Sequence, residues 1–171
     1  MARQRCLDSP YAIPQLYVEG EESDTYLVIE GDEAWVTKQC LKSENSVCLG
    51  KRIYGSSMDF IDLVEKRVVR GFAILLPIDY ANGLYVPPGS PIEPIPVEGI
   101  RVSLEICEGV KVKRWDTIGY VLTRKREMRR VKTHVPGIVV YIYSSPTGER
   151  EEDIVFIAPE EVIHNIRVRR K

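Results

Sequence analysis

Glu108-Gly109-Val110-Lys111-Val112-Lys113-Arg114-Trp115-Asp116-Thr117-Ile118-Gly119-Tyr120-Val121-Leu122-Thr123-Arg124-Lys125-Arg126-Glu127-Met128-Arg129-Arg130-Val131-Lys132-Thr133 is the stretch whose reading decides the fold. The apolar run Gly119 to Leu122 and the run Met128 to Thr133 predict two short strands. They meet at the charged turn Thr123 to Glu127, with a glycine-containing turn on each flank. Upstream, Val102, Leu104 and Ile106 alternate with Arg101, Ser103 and Glu105, so one face is buried and the other wet. Downstream, Ile138, Val140 and Ile142 are expected to line an inner face, and Asp153 to Ile157 supplies a last strand. Ala158 to Ile163 adds a short helical turn with Pro159 near its start. Val102–Leu122 runs strand, glycine turn, Asp116, strand. Val139–Ala158 repeats that order through Thr147-Gly148 and Asp153, which predicts a small sheet folded over its own copy.

Ahead of this region, Leu16-Tyr17-Val18, Tyr26 to Ile29 and Ala34-Trp35-Val36 are β-rich, and Ser43 to Ser46 is turn chemistry. Met58–Arg70 predicts a helix. Phe60, Ile61, Val64 and Val68 share one stripe, Ser57 is placed to cap it, and Gly71 follows. Phe72 to Leu76 reads as a buried strand, and Asn82-Gly83 suits a tight reversal. Pro87, Pro88, Pro91, Pro94 and Pro96 lack the N–H that a sheet ladder needs, so they mark an extended connector. The expected organisation is an N-terminal α+β part over 1–86, a Pro-rich connector over 87–97 and a β part with a basic tail over 98–171.

A net charge of −1 predicts no bulk attraction to polyanions, but the charges are segregated along the chain. Acids crowd residues 19–33, spaced as a solvated face rather than a calcium loop. The start, Met1 to Cys6, has no apolar signal region, and no apolar run could span a bilayer, so a cytoplasmic protein without membrane contact is expected. Cys6, Cys40, Cys48 and Cys107 form no C-x-x-C pair, which argues against zinc. Buried thiols are one reading of them. The other is a Cys40–Cys48 bridge, which a thermophilic source would favour, and scarce Asn and Gln beside many Glu, Lys and Arg point the same way.

Glu108, Gly109, Val112, Asp116 and Ile118, with Val131, Thr133, Gly137 and Val139, resemble the biotinyl/lipoyl-carrier family over about a third of the chain. The resemblance implies a mainly β barrel-sandwich hybrid of two quasi-symmetric halves. Three positions depart from it. Val110 replaces an acid, Trp115 stands where the family has a turn glycine, and Arg126 occupies the position of the modified lysine. A guanidinium cannot form the carrier amide, and Lys125 is one residue away. The whole chain, including Pro14 to Val18, also resembles a short archaeal family of unknown function.

Arg124, Lys125, Arg126, Arg129, Arg130 and Lys132 crowd one hairpin, a compact positive tip suited to an anionic protein or nucleic acid. Trp115 and Tyr120 are the nearest stacking partners for single strands. His134 and His164 read as packed or hydrogen-bonded side chains. Ser56-Ser57 lacks a nucleophile elbow, and Gly50-Lys51-Arg52 lacks a phosphate loop. No catalytic residue, metal or cofactor is expected. The sequence therefore favours a non-catalytic binding protein. Its competitors are a carrier modified at Lys125 and a small enzyme component with a groove between its parts. Oligomeric state is open, a homodimer being one outcome.

Overall fold

The computed structural model describes residues 13–40, 43–77, 80–145 and 149–169. In chain order the strands are β1 (Gln15–Glu19), β2 (Tyr26–Glu30), β3 (Glu33–Thr37), β4 (Val47–Arg52), β5 (Ile61–Asp62), β6 (Arg67–Val68), β7 (Phe72–Leu75) and β8 (Asn82–Val86). There follow β9 (Glu93–Gly99), β10 (Arg101–Leu104), β11 (Lys111–Val112), β12 (Thr117–Leu122), β13 (Met128–Lys132), β14 (Gly137–Ser144), β15 (Glu151–Ala158) and β16 (His164–Val168). The protein is mainly β. Among the described residues its one helical element is the 3-10 turn Glu160–Val162, beside the predicted Pro159.

Two compact units divide the chain, one formed by the described residues up to Pro91 with those from Glu161 on, the other by Ile92–Glu160. The first is a closed barrel of order β1-β4-β2-β3-β16-β8-β7. Every described pairing in it is antiparallel except β16 with β3. Closure leaves no strand edge exposed. Tyr17, Leu27, Ile29, Ala34, Leu49, Ala73, Leu75, Tyr85 and Ile166 fill the interior from alternate positions, as a period of two demands. The Tyr85 hydroxyl donates to Glu19 Oε1 at 2.5 Å, and burial followed by that carboxylate pushes its pKa well above the phenolic range. The C-terminal stretch expected with the 98–171 part thus completes this barrel. Arg169 pairs there with Glu33, while Arg170 and Lys171 lie outside the described residues.

The helix expected over Met58–Arg70 is absent. Its residues form the hairpin β5–β6, in which Ile61 faces Val68 and Asp62 faces Arg67. Asp62 Oδ1 accepts the N–H groups of Val64 at 2.9 Å and Glu65 at 3.0 Å, a local bond that competes with helix, and Lys66 takes φ 55°. The presumed stripe breaks at Val64, which is 88% exposed. Ser57 caps nothing helical. Its hydroxyl accepts from Arg52 at 3.0 Å, in a network where Arg52 also binds Glu21 and Asp59 and Arg70 reaches Asp59 at 3.3 Å. The hydrogen bond from Arg52 holds the Asp59 carboxyl below its ordinary range. Phe60 packs on Phe72 with ring centroids 4.9 Å apart, which explains why β7 is buried on both faces.

Asn82-Gly83 is no reversal either. Both residues lie inside β8, and a Cβ on Gly83 would stand 2.6 Å from the Ile74 carbonyl oxygen, so this glycine permits close strand approach. The chain turns earlier, with Tyr80 at φ 53°.

The unit Ile92–Glu160 holds a three-stranded sheet, β10-β12-β13, and a four-stranded sheet, β11-β14-β15-β9. Their shared core includes Ile95, Val97, Ile106, Val112, Ile118, Val121, Val139 and Ile157. The stretch expected to be a connector contributes β9. Among the described residues this strand pairs only with β15, and an edge strand tolerates Pro94 and Pro96 where their missing N–H groups face away from the partner. The chain passes from one sheet to the other at Gly99, where a Cβ would lie 2.9 Å from the Leu122 carbonyl oxygen. Two details of the expected repeat are corrected. Val102–Leu122 carries three strands with Asp116 in a turn, whereas Val139–Ala158 carries two with Asp153 inside β15, and Thr147-Gly148 lies outside the described residues. A bulge between Val139 and Tyr141 also shifts the parity of β14. Val139 and Ile142 therefore meet this core, whereas Val140 is fully buried outside it and Ile138 is half-buried, so the three expected positions do not share one inner face.

Cys40 and Cys48 are disulfide-bonded, and Cys107 is disulfide-bonded as well, so these three are not buried thiols. Cys6 lies outside the described residues. The Cys40–Cys48 bridge spans eight positions, and closing a loop of that size removes about 2–3 kcal/mol of unfolded-state entropy. Cys40→Ser is expected to lower the unfolding free energy by about that amount in urea titrations. An unchanged midpoint would mean that the bridge adds nothing to stability.

Candidate interface for an anionic partner

The hairpin β12–β13 places the basic residues. Its register sets Thr117 opposite Lys132, Gly119 opposite Val131, Tyr120 opposite Arg130, Val121 opposite Arg129 and Leu122 opposite Met128. At the tip, Arg126 N–H donates to the Thr123 carbonyl at 2.9 Å, and Thr123 N–H donates to the Glu127 carbonyl at 2.9 Å. Arg126 adopts φ 61°. This is the three-residue hairpin loop in which a turn is followed by a left-handed residue, usually glycine. Arg124, Lys125, Arg126, Arg129, Arg130 and Lys132 are all exposed, as the sequence pattern implied. The structure brings Arg124, Lys125 and Arg126 together at the turn and sets the other three along β13.

The two faces of β13 differ. Val131 packs on the core, with Arg129 on the same side opposite Val121, while Met128, Arg130 and Lys132 face outward. Arg129 lies 3.7 Å from Glu127, an ion pair between side chains 68% and 58% exposed and hence nearly neutral in energy. Because β13 is the last strand of its sheet, its lysine and arginines also discourage another strand from adding. That role does not extend to Arg124, Lys125 and Arg126, which lie beyond the ladder.

Two further features belong to this surface. β10 pairs with β12, so Arg101 faces Leu122 and Ser103 faces Tyr120. Arg101 escaped a reading limited to the hairpin, although its place on the wet face was legible. Trp115 sits at the opposite end of the hairpin from the tip. It has φ 72° and is 58% exposed, with the Arg114 guanidinium 5.0 Å from its ring centroid. The backbone there is indeed one that glycine would adopt without strain. Asp116 organises this turn, accepting Lys113 N–H at 2.8 Å.

Elsewhere the candidates stay structural. His134 Nε2 is 3.0 Å from Glu93 Oε1, and the His164 ring lies 6.1 Å from that of Tyr85. Among the described residues, no group of three His, Cys, Asp or Glu side chains is arranged to hold a metal, and no helix is long and apolar enough to cross a membrane.

Residues 11–160 match a family described as uncharacterized proteins conserved in archaea, DUF2118. The chain belongs to this family. A relative from Methanocaldococcus jannaschii, the uncharacterized protein MJ0859, is 29% identical over 155 residues, covering 88% of this chain and 94% of that relative. The DUF2118 match contains the whole hairpin, both of its turns and the Cys40–Cys48 bridge.

Proposed function

We propose that this protein is a non-catalytic binding protein of the cytosol, in which a carrier-like barrel-sandwich hybrid unit presents its basic hairpin to an anionic partner. The observation that carries the reading is the tip itself. Three consecutive cations are exposed there, and one of them, Arg126, holds a left-handed backbone that disfavours side chains. Neither feature serves the core beneath. Two sheets sharing one core, with the chain passing between them at Gly99, support the hybrid reading, and disulfide-bonded cysteines in a cytosolic chain fit a thermophile.

Heparin serves as a test polyanion. Six engaged cations predict a log–log slope of affinity against salt near about −4. A slope close to zero, or no retention at about 50 mM salt, would remove the reading.

A second reading rests on the exposure of Lys125 at the same turn, where a lipoyl or biotinyl arm could be attached. The intact mass of the chain from its native source decides it. An unmodified chain excludes the carrier role.

A further inference from the structure

Resting on the reading of this hairpin as an anion-binding element, we propose that the partner is single-stranded nucleic acid, which lies across the outer face of β10-β12-β13 with bases stacked on Tyr120 and Trp115. Register supplies the first argument. Ser103, Tyr120 and Arg130 form one row across the three strands, and Arg101, Leu122 and Met128 form the next. Val102, Leu104, Val121 and Val131 pack into the core from the reverse side, so these two rows face away from it. The result is an aromatic ring between a guanidinium and a hydroxyl, bordered by Leu122 and by Met128, which is 64% exposed. Phosphates suit the cations, and base faces suit the ring and the apolar side chains. An acidic protein surface would use only the cations.

Charge supplies the second argument. Residues 101–132 contain ten Lys and Arg against Glu105, Glu108, Asp116 and Glu127. Asp116 is engaged with Lys113 N–H, and Glu127 lies beside Arg129. Lys111 lies in β11 of the other sheet and pairs with Glu160 at 2.9 Å, so the remaining nine cations are those on this sheet and its turns, although the chain as a whole is nearly neutral.

Trp115 supplies the third. A non-glycine residue at φ 72° costs roughly 1 kcal/mol, and an indole left 58% exposed recovers little of it by burial. Such strain is characteristic of ligand clamps. With Arg114 against its ring, Trp115 offers a second stacking surface one hairpin length from the cationic tip. A face three strands wide exceeds the two-stranded ribbon that a major groove admits, and it suits a splayed single strand.

The test is fluorescence anisotropy of the full chain with labelled 12-nucleotide oligo-dT and oligo-U, a matched duplex, and heparin as competitor. Both single strands are expected to bind more tightly than the duplex. Tyr120→Ala and Trp115→Gly should each weaken single-strand binding about 5- to 100-fold, while Tyr120→Phe stays near the parent and heparin affinity is unchanged. Trp115→Gly relaxes the backbone, and a melting temperature matching the parent separates its loss of binding from unfolding. If single strands bind both variants as tightly as the parent, bind no better than duplex, or fail to bind while heparin does, the nucleic-acid assignment is overturned and the basic-hairpin reading stands. If heparin is not bound either, the basic-hairpin reading fails with it.

Discussion

Reversing four charges together, Arg124→Glu, Arg126→Glu, Arg129→Glu and Arg130→Glu, is expected to cost polyanion affinity at least about 1000-fold at low salt. It should leave thermal unfolding nearly unchanged. All four side chains are exposed, and Arg129 pairs with Glu127 across two exposed groups. Little stability is therefore at stake. The electrostatic effect is large because all four changes fall within seven residues of one hairpin, where each new carboxylate repels what its predecessor attracted. Arg126→Gly separates strain from charge. It should raise stability by about 1 kcal/mol, since glycine accepts φ 61° without penalty, and weaken binding only by the loss of one cation. A reversed chain that melts like its parent and binds within about tenfold would place the anion site elsewhere.

Gly50→Ala is expected to cost about 3 kcal/mol or more and to leave the barrel poorly folded. Gly50 is the position of β4 that faces both Val18 of β1 and Tyr26 of β2. The turn between those strands folds over it, and a Cβ would stand 2.1 Å from the Glu21 carbonyl oxygen and 2.8 Å from its carbon. Backbone in that turn cannot swing aside as a flexible side chain would. Moving it would also withdraw the Glu21 carboxylate from Arg52, which is 12% exposed and bridges to Asp59. Gly31→Ala is the control. Nothing lies within 4 Å of its Cβ, so only the φ of +65° is penalised, at about 1 kcal/mol. Equal urea midpoints for the two variants would refute the close-approach account of Gly50.

The strands were legible wherever local pattern and burial agreed. Val102 and Leu104 alternate with Arg101 and Ser103, and they face inward as that pattern requires. The turn Thr123–Glu127 was marked by charge between two strand-like runs, and all six basic residues proved exposed. Met58–Arg70 failed because four apolar positions fit a helical stripe and a bent hairpin equally well. Asp62 and the β-branched Ile61, Val64, Val68 and Val69 turned the balance. Val140 is buried and Ile142 packs on the core, but the single face expected for Ile138, Val140 and Ile142 was broken by one bulged residue, which no one-dimensional period can reveal.

Composition and alternation by themselves determined that the chain is mainly β and where its cations would gather, because strand period and turn chemistry are local properties. Three facts were decided only in three dimensions. β16 returns to close a barrel begun by β1, Gly50 lies beneath the Glu21 carbonyl, and Tyr120 stands in one row with Ser103 and Arg130. Each depends on residues far apart in sequence being held at one register, and register is set by the packing of whole sheets rather than by any segment read alone.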